Sequence, residues 1–336
     1  IGPDGTLWAW GNNGYAQLGD GTSDRSWVPK QIGVADNWSV VTAGDYGGRA
    51  LRHDGSMWAW GYDDSGARRF GDGSAAYTYY YTPKVIFGGI RAAGQQPLGV
   101  VAGYQHALML KGDGTLWSWG LNEDGQLGHG DTVLRTAPAK VDADREWVDV
   151  SAGLDFTLAL KADGTLWSWG DNSQGQLGTG DYDERAVPTQ IGADADWISV
   201  ASGVLSGYAL KADGTLWSWG DNEFGQLGHG DTGLRTTPVQ VGSDTDWAEV
   251  ADGGSHALGL KADGTLWAWG SNLTGQLGLG DTEMRTVPTQ VGAFDDWVAV
   301  TGGVDHALGV RADGTLWAWG WNLDGQLGLG DTEMRT

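Results

Sequence analysis

The chain has no cysteine, which removes disulfides, thiolate nucleophiles, cysteine-held zinc and iron–sulfur clusters in one step. Positive charge is scarce as well: 20 Lys and Arg stand against 43 Asp and Glu, a formal net charge of −23. A nucleic-acid binder needs a basic footprint, so this balance argues against nucleic acid as a partner. No apolar run approaches the roughly 18 residues that cross a bilayer, so no membrane insertion is expected. Ile1 opens neither with Met nor with a charged signal region, and the chain reads as a soluble, processed or partial product. Common catalytic patterns are missing too: there is no Ser-His-Asp order, H-E-x-x-H, P-loop or nucleotide-binding glycine fingerprint.

What the chain has instead is repetition, written with 59 Gly and 21 Trp. DGTLWAWG around Trp8 returns in variant form around Trp58, Trp117, Trp167, Trp217, Trp267 and Trp317, every 50 residues except for nine extra between Trp58 and Trp117. A period of this length signals a solenoid, propeller or array. Each unit offers four short strand candidates, as in PTQIG, WISVASG, GYALK and TLWSWG between Pro188 and Gly220, with no helical period among them. Asp213-Gly214 between the last two predicts an antiparallel hairpin, because glycine accepts positive φ. In TLWSWG, Trp217 and Trp219 share one face while Leu216 and Ser218 share the other. A sheet apolar on both faces needs cover on both, which blades stacked around an axis supply. The expectation is an all-β chain forming a single β-propeller domain over residues 1–336, with seven repeats of 50 residues and four-stranded antiparallel blades.

One motif is specific: W-G-x-N-x-x-G-Q-L-G, as in Trp119, Gly120, Asn122, Gly125, Gln126, Leu127 and Gly128, followed by G-D-T, a Pro, and A-G-x-x-H-A-L. Over essentially the whole chain these residues resemble the regulator of chromosome condensation repeat family, whose bacterial members include α-tubulin-suppressor-like proteins. The resemblance implies a seven-bladed propeller closed by pairing strands from both termini in one blade. It also implies, remotely, guanine-nucleotide exchange on a small GTPase, through rim loops without a match here. The departures are Ala16 for a glycine, Pro97 for a tryptophan, and Gly47, Phe156 and Ser206 where other copies carry His106, His256 and His306.

The chain falls 23 residues short of seven complete units, and the stretch lacking corresponds to positions 287–309. This predicts an incomplete seventh blade: six four-strand sets and one orphan strand around Trp8. Leu7, Trp8 and Trp10 at one terminus and Leu316, Trp317 and Trp319 at the other would then form an open apolar edge, a template for strand addition by a second copy. A heterologous contact of that kind builds filaments when it fails to close.

Most titratable residues have a structural reading. Thirty-six of the 43 acids are Asp, a turn residue. The pairs Asp194/Asp196, Asp244/Asp246 and Asp295/Asp296 invite calcium, yet no D-x-D-x-D-G loop accompanies them, so no metal or other cofactor is expected. The histidines read as packed structural residues, and Arg135, Arg185, Arg235, Arg285 and Arg335, one per repeat, read as scaffold. What one repeat alone carries is a candidate for recognition. The second repeat holds all nine extra residues, with Arg68, Arg69, Tyr77, Tyr79, Tyr80 and Tyr81. Tyr and Arg are the side chains of binding hot spots, and these six are the candidate partner-binding residues; alternatively, the rings merely cover the edge of a lengthened strand. The reading is a non-enzymatic protein-interaction or surface-assembly scaffold, bacterial and extracellular or at the cell surface, whose partner is a protein or further copies of itself. The competing reading is a propeller lyase or hydrolase, which would gather unlike titratable residues from several blades at one mouth of the central channel.

Overall fold

The computed structural model describes residues 1–44, 46–63, 70–73, 77–88 and 97–336. The repeat unit is built outward from its Asp-Gly-Thr turn. Asp213 Oδ1 accepts hydrogen bonds from the Thr215 amide (3.0 Å) and hydroxyl (2.7 Å), and Thr215 Oγ1 in turn accepts the Trp217 indole N–H at 2.9 Å. Gly214 has φ +79°, and a Cβ there would lie 2.2 Å from the Thr245 carbonyl, so glycine is required. The turn joins Ser206–Lys211 to Leu216–Gly220 in antiparallel register, with Leu210 opposite Leu216. Trp197–Ser202 adds on the inner side and Arg235–Gln240 on the outer.

Sheets beginning at Trp38, Pro97, Trp147 and Trp247 repeat this four-stranded order. A sixth, from Trp297 to Gly320, has three strands, and Gly320 bridges to Arg335 where the fourth begins. First strands of neighbouring sheets contact one another around the axis, and no helix occurs among the described residues. The chain is an all-β propeller with four-stranded antiparallel blades. The strand at Trp8 is not an orphan: Trp8–Gly11 pairs with Ser26–Gln31 in a two-stranded sheet. The reason holds in every unit, because the proline-bearing strand turns back onto the tryptophan strand before it instead of opening the next blade.

The loop that reverses the chain is braced by one buried asparagine. Asn222 Oδ1 accepts the Leu227 amide at 2.9 Å, while Nδ2 donates to the carbonyls of Asp231 (3.1 Å) and Gly233 (3.0 Å). Asn122, Asn172, Asn272 and Asn322 make the equivalent bonds. Once formed, the loop presents a carbonyl to the next sheet. The Trp219 indole N–H donates to the Gln176 carbonyl at 2.9 Å, and Trp60, Trp169, Trp269 and Trp319 reach Gln17, Gln126, Gln226 and Gln276 in the same way. Trp10 reaches Gln326 at 2.8 Å, carrying the contact from the last loop to the first strand.

The core lies between sheets. Trp219 packs with Leu158, Leu160, Leu166 and Ile191 of the preceding sheet, and Leu216 packs with Trp247 and Val250 of the following one. Trp219 is wholly buried, whereas Trp217, on the same strand face, is only half-buried. Lys211 Nζ lies 4.7 and 4.9 Å from the rings of Trp197 and Trp217 and bridges Asp194 (2.6 Å) and Asp196 (3.1 Å). Lys261 does the same with Trp247, Trp267, Asp244 and Asp246, and Arg311 forks Asp296. Five of the six aspartates that suggested calcium are thus salt-bridged to the chain's own cations.

Truncating Trp219 to Ala removes a buried indole and leaves the Gln176 carbonyl without its donor, so it should cost about 3–5 kcal/mol. Trp217→Ala, at a half-buried ring, should cost distinctly less. Urea denaturation of both variants checks the order, and equal losses would mean that the link between sheets contributes little.

Candidate recognition surface

Turns between first and second strands and loops between third and fourth strands lie at one end of every sheet, and the Asp-Gly hairpins lie at the other. The loop end of the sheet beginning at Trp38 is unlike the rest. Its outer strand, Thr78–Phe87, has ten residues where Arg235–Gln240 has six. Alternation sends Tyr79 and Tyr81 outward and Tyr80 inward. Tyr80 stacks on Phe70 at 4.8 Å and donates to Asp72, and Lys84 Nζ lies 2.7 Å from its hydroxyl. Burial, with Asp72 beside it, raises the Tyr80 hydroxyl above its ordinary value.

The outward rings continue across the loop end. Tyr79 meets Tyr81 (5.8 Å between ring centres) and Tyr62 (4.7 Å); Tyr62 meets Tyr77 (6.5 Å) and Tyr15 (5.6 Å). Tyr15 meets Tyr46 (4.9 Å), and Tyr46 meets Tyr104 (6.2 Å), with those two hydroxyls 3.4 Å apart. Seven tyrosines from three sheets form one band, with Tyr77, Tyr79, Tyr81 and Tyr15 exposed by 68, 43, 45 and 42%. A pocket between Tyr46, Tyr62 and Tyr104 is lined also by Gly47, Gly48, Arg49 and Phe70. The structure therefore groups Tyr77, Tyr79 and Tyr81, turns Tyr80 inward, and adds Tyr15, Tyr46, Tyr62 and Tyr104. Arg68 and Arg69 lie outside the described residues. The four added tyrosines occupy variable positions of the shared loops and turns, where most other copies carry polar or aliphatic residues; that register is the signal that would have found them.

Beside the band lies negative charge. The Tyr104 amide donates to the Leu154 carbonyl at 3.3 Å, and Asp155 follows, taking the Gln126 amide at 3.0 Å. Burial, then the carboxylates of Asp155, Asp171, Glu184 and Glu123, pushes the Asp124 carboxyl up to about 6. The scaffold acids behave oppositely: the Arg135 guanidinium holds Asp131 down to about 2.

Nearer the axis, His106 and His256 are sealed in the interior. Burial pushes His106 and His256 down to about 3, and among the described residues neither ring nitrogen of His256 has a hydrogen-bond partner. Asp252 is half-buried, and desolvation pushes its carboxyl up to about 7, although the Gly254 amide donates to it. Ser206 Oγ lies 3.5 Å from Asp252, and Tyr208 donates to the Gln226 carbonyl at 2.8 Å. Of the terminal edge residues, Leu7 and Trp319 are buried and Trp10 is half-buried; Trp8, Leu316 and Trp317 are exposed by 41, 52 and 42%. Among the described residues no group of three His, Cys, Asp or Glu could hold a metal ion.

These features sit on a scaffold with known relatives. The RCC1-like domain matches residues 41–336, and the regulator of chromosome condensation (RCC1) repeat matches residues 4–51. The chain belongs to the RCC1-like domain family. It is 35% identical over 137 residues to the human E3 ubiquitin-protein ligase HERC2, covering 40% of this chain and 3% of that protein. It is 31% identical over 143 residues to the Arabidopsis thaliana ultraviolet-B receptor UVR8, covering 42% of this chain and 31% of that protein. The chain thus spans less than a third of the length of either relative. Its fold is shared with human WBSCR16 (TM-score 0.85, 22% identity, 98% of this chain and 93% of the other). It is shared likewise with Prp20p of Saccharomyces cerevisiae (0.87, 24%, 100% and 85%).

Phe156 occupies the place of His256 in another sheet, so the site accepts an aromatic hydrocarbon. A histidine whose folded pKa is depressed from 6.5 to about 3 contributes stability that is present above 6.5 and is lost as pH falls toward 3. His256→Phe should therefore shift the acid-unfolding midpoint to lower pH while leaving stability at neutral pH nearly unchanged, as followed by tryptophan fluorescence. An unmoved midpoint would show that His256 is not buried in its neutral form.

Proposed function

We propose that this chain is a non-enzymatic protein-interaction propeller whose recognition surface is the tyrosine band. The observation that carries the reading is the continuity of seven rings across three sheets, four of them exposed. Soluble monomers seldom leave such contiguous aromatic area open, and tyrosine gives large contact area at low entropic cost. The interior supports this over catalysis: His106 and His256 stay neutral near pH 7 and are closed to solvent, and Ser206 and Tyr208 are likewise buried. Propellers of the same fold are described with protein partners, Prp20p with Gsp1p and histones and yeast RCC1 with Kap60. Exchange on a small GTPase is a remoter possibility, as is a channel-centred enzyme. Placement outside the cytoplasm belongs to the same proposal and rests on the lack of cysteine and the acidity.

The ring is read as seven blades, with the sheet of Trp8–Gly11 and Ser26–Gln31 as half of one. This gives a second reading, self-association by strand addition, favoured by the exposure of Leu316 and Trp317 where Leu216 is fully buried. A concentration series in the analytical ultracentrifuge tests it; a monomer throughout would remove it.

For the main reading, Tyr15→Ser, Tyr62→Ser and Tyr79→Ser combined should weaken partner binding by at least about 2 kcal/mol. The check is affinity capture with wild type and variant, followed by titration of the partner recovered with wild type. Unchanged binding by a folded variant would overturn the proposal.

A further inference from the structure

We infer that the occupant of the tyrosine band is a basic, arginine- or lysine-rich polypeptide segment, its cations set over the ring faces and against the neighbouring carboxylates. The inference rests on the band being the recognition surface and names the chemistry of its partner. The aromatic area comes first: Tyr15, Tyr77, Tyr79 and Tyr81 present exposed rings in contact with further tyrosines. A tyrosine face is the negative pole of the ring quadrupole and attracts a cation.

Charge complementarity then selects among occupants. The band passes through Tyr104 and Leu154 to Asp155, beside which Asp124 is raised by burial and then by its like-charged neighbours. With a net charge of −23 on the chain, an acidic segment or nucleic acid would be repelled, and a basic segment would be steered in.

The chain itself demonstrates the pairing. Where two aromatic rings and two carboxylates converge within a repeat, they hold a lysine: Lys211 between Trp197, Trp217, Asp194 and Asp196, and Lys261 in the next unit. On tyrosine, Lys84 Nζ stands 4.0 Å from the Tyr80 ring centre. The loop end spreads the same two kinds of group over four sheets, the span of an extended segment.

The probe is a short, blocked, fluorescein-labelled peptide alternating Arg and Gly, compared with its Glu-Gly and Ser-Gly counterparts by fluorescence anisotropy. The Arg peptide should bind, the other two should not, and affinity should fall between about 50 and 300 mM NaCl. Tyr15→Leu with Tyr79→Leu keeps apolar area but removes ring faces and changes no charge; it should weaken binding about tenfold. Tyr77→Leu, at the most exposed ring, gives the same direction if the double variant fails to fold. Glu123→Gln with Glu184→Gln should weaken binding severalfold. Glu146→Gln with Asp295→Asn, an equal charge change at the hairpin end, should leave it within about twofold.

If the two charge pairs act equally and the tyrosine variants do nothing, attraction is diffuse and the inference fails. It fails also if the Ser-Gly peptide binds as well as the Arg peptide. Should the Arg peptide not bind while the Tyr-to-Ser variant still loses a captured partner, the recognition surface stands and only this assignment of its chemistry is overturned.

Discussion

One hydrogen bond orders this molecule: the indole N–H of a tryptophan strand donating to the glutamine carbonyl in the loop of the sheet before it. Dispersion and burial would hold two sheets together in several sliding registers, since both faces are apolar. A buried indole N–H has one direction and needs one acceptor, so it fixes a single register. The acceptor exists only because the loop is folded by its asparagine, whose side chain takes the Leu227 amide and spans two carbonyls in the unit from Trp197 to Gln240. Asparagine, glycine, glutamine, leucine and tryptophan recur together because each step requires the one before it.

The same dependence divides each loop into fixed and free positions. Residues that face the next sheet keep one identity in most copies, with Ala16 and Asp63 standing for the usual Gly and Asn; those between them lie at the loop end and vary from copy to copy. Tyr15, Tyr62 and Asp124 stand at such free positions. Their contacts are with other loops and with solvent, so they change the surface without touching the indole-to-carbonyl register.

Local chemistry was legible in the sequence and long-range assembly less so. Asp213-Gly214-Thr215 reads as a hairpin because the hydrogen bonds that shape it are made within a few residues, and the alternation of Trp217 with Leu216 follows from the pleat alone. Pairing of the proline-bearing strand with the strand before it was misgrouped, because the deciding bonds are those of the buried asparagine across the loop. Four of the six partner-binding candidates are tyrosines visible as a run, three on one strand and Tyr77 just before it. Tyr15, Tyr46, Tyr62 and Tyr104 were not, since they come together only when neighbouring sheets stack: Tyr46 and Tyr104 lie 58 residues apart in sequence. Asp194 and Asp196 looked like cation ligands and are, but the cation is Lys211, placed by the end of the second strand.

This arrangement separates what keeps the ring together from what makes one part of it distinctive. Stability in a repeat array is approximately a sum of each unit and its neighbours, and changes at distant, independent sites add. A loop-end residue such as Tyr79 can therefore be exchanged with little effect on Trp219 three sheets away, while residues such as Asn222 cannot vary without loosening two sheets at once. An interior built on one repeated set of residues, from which Arg49, Phe156, Ser206 and Tyr208 depart, joined to one strongly altered rim, is the pattern expected when specificity is written onto an existing scaffold. The altered rim is aromatic and bordered by acid, and the physical reading of its function follows from those two properties together.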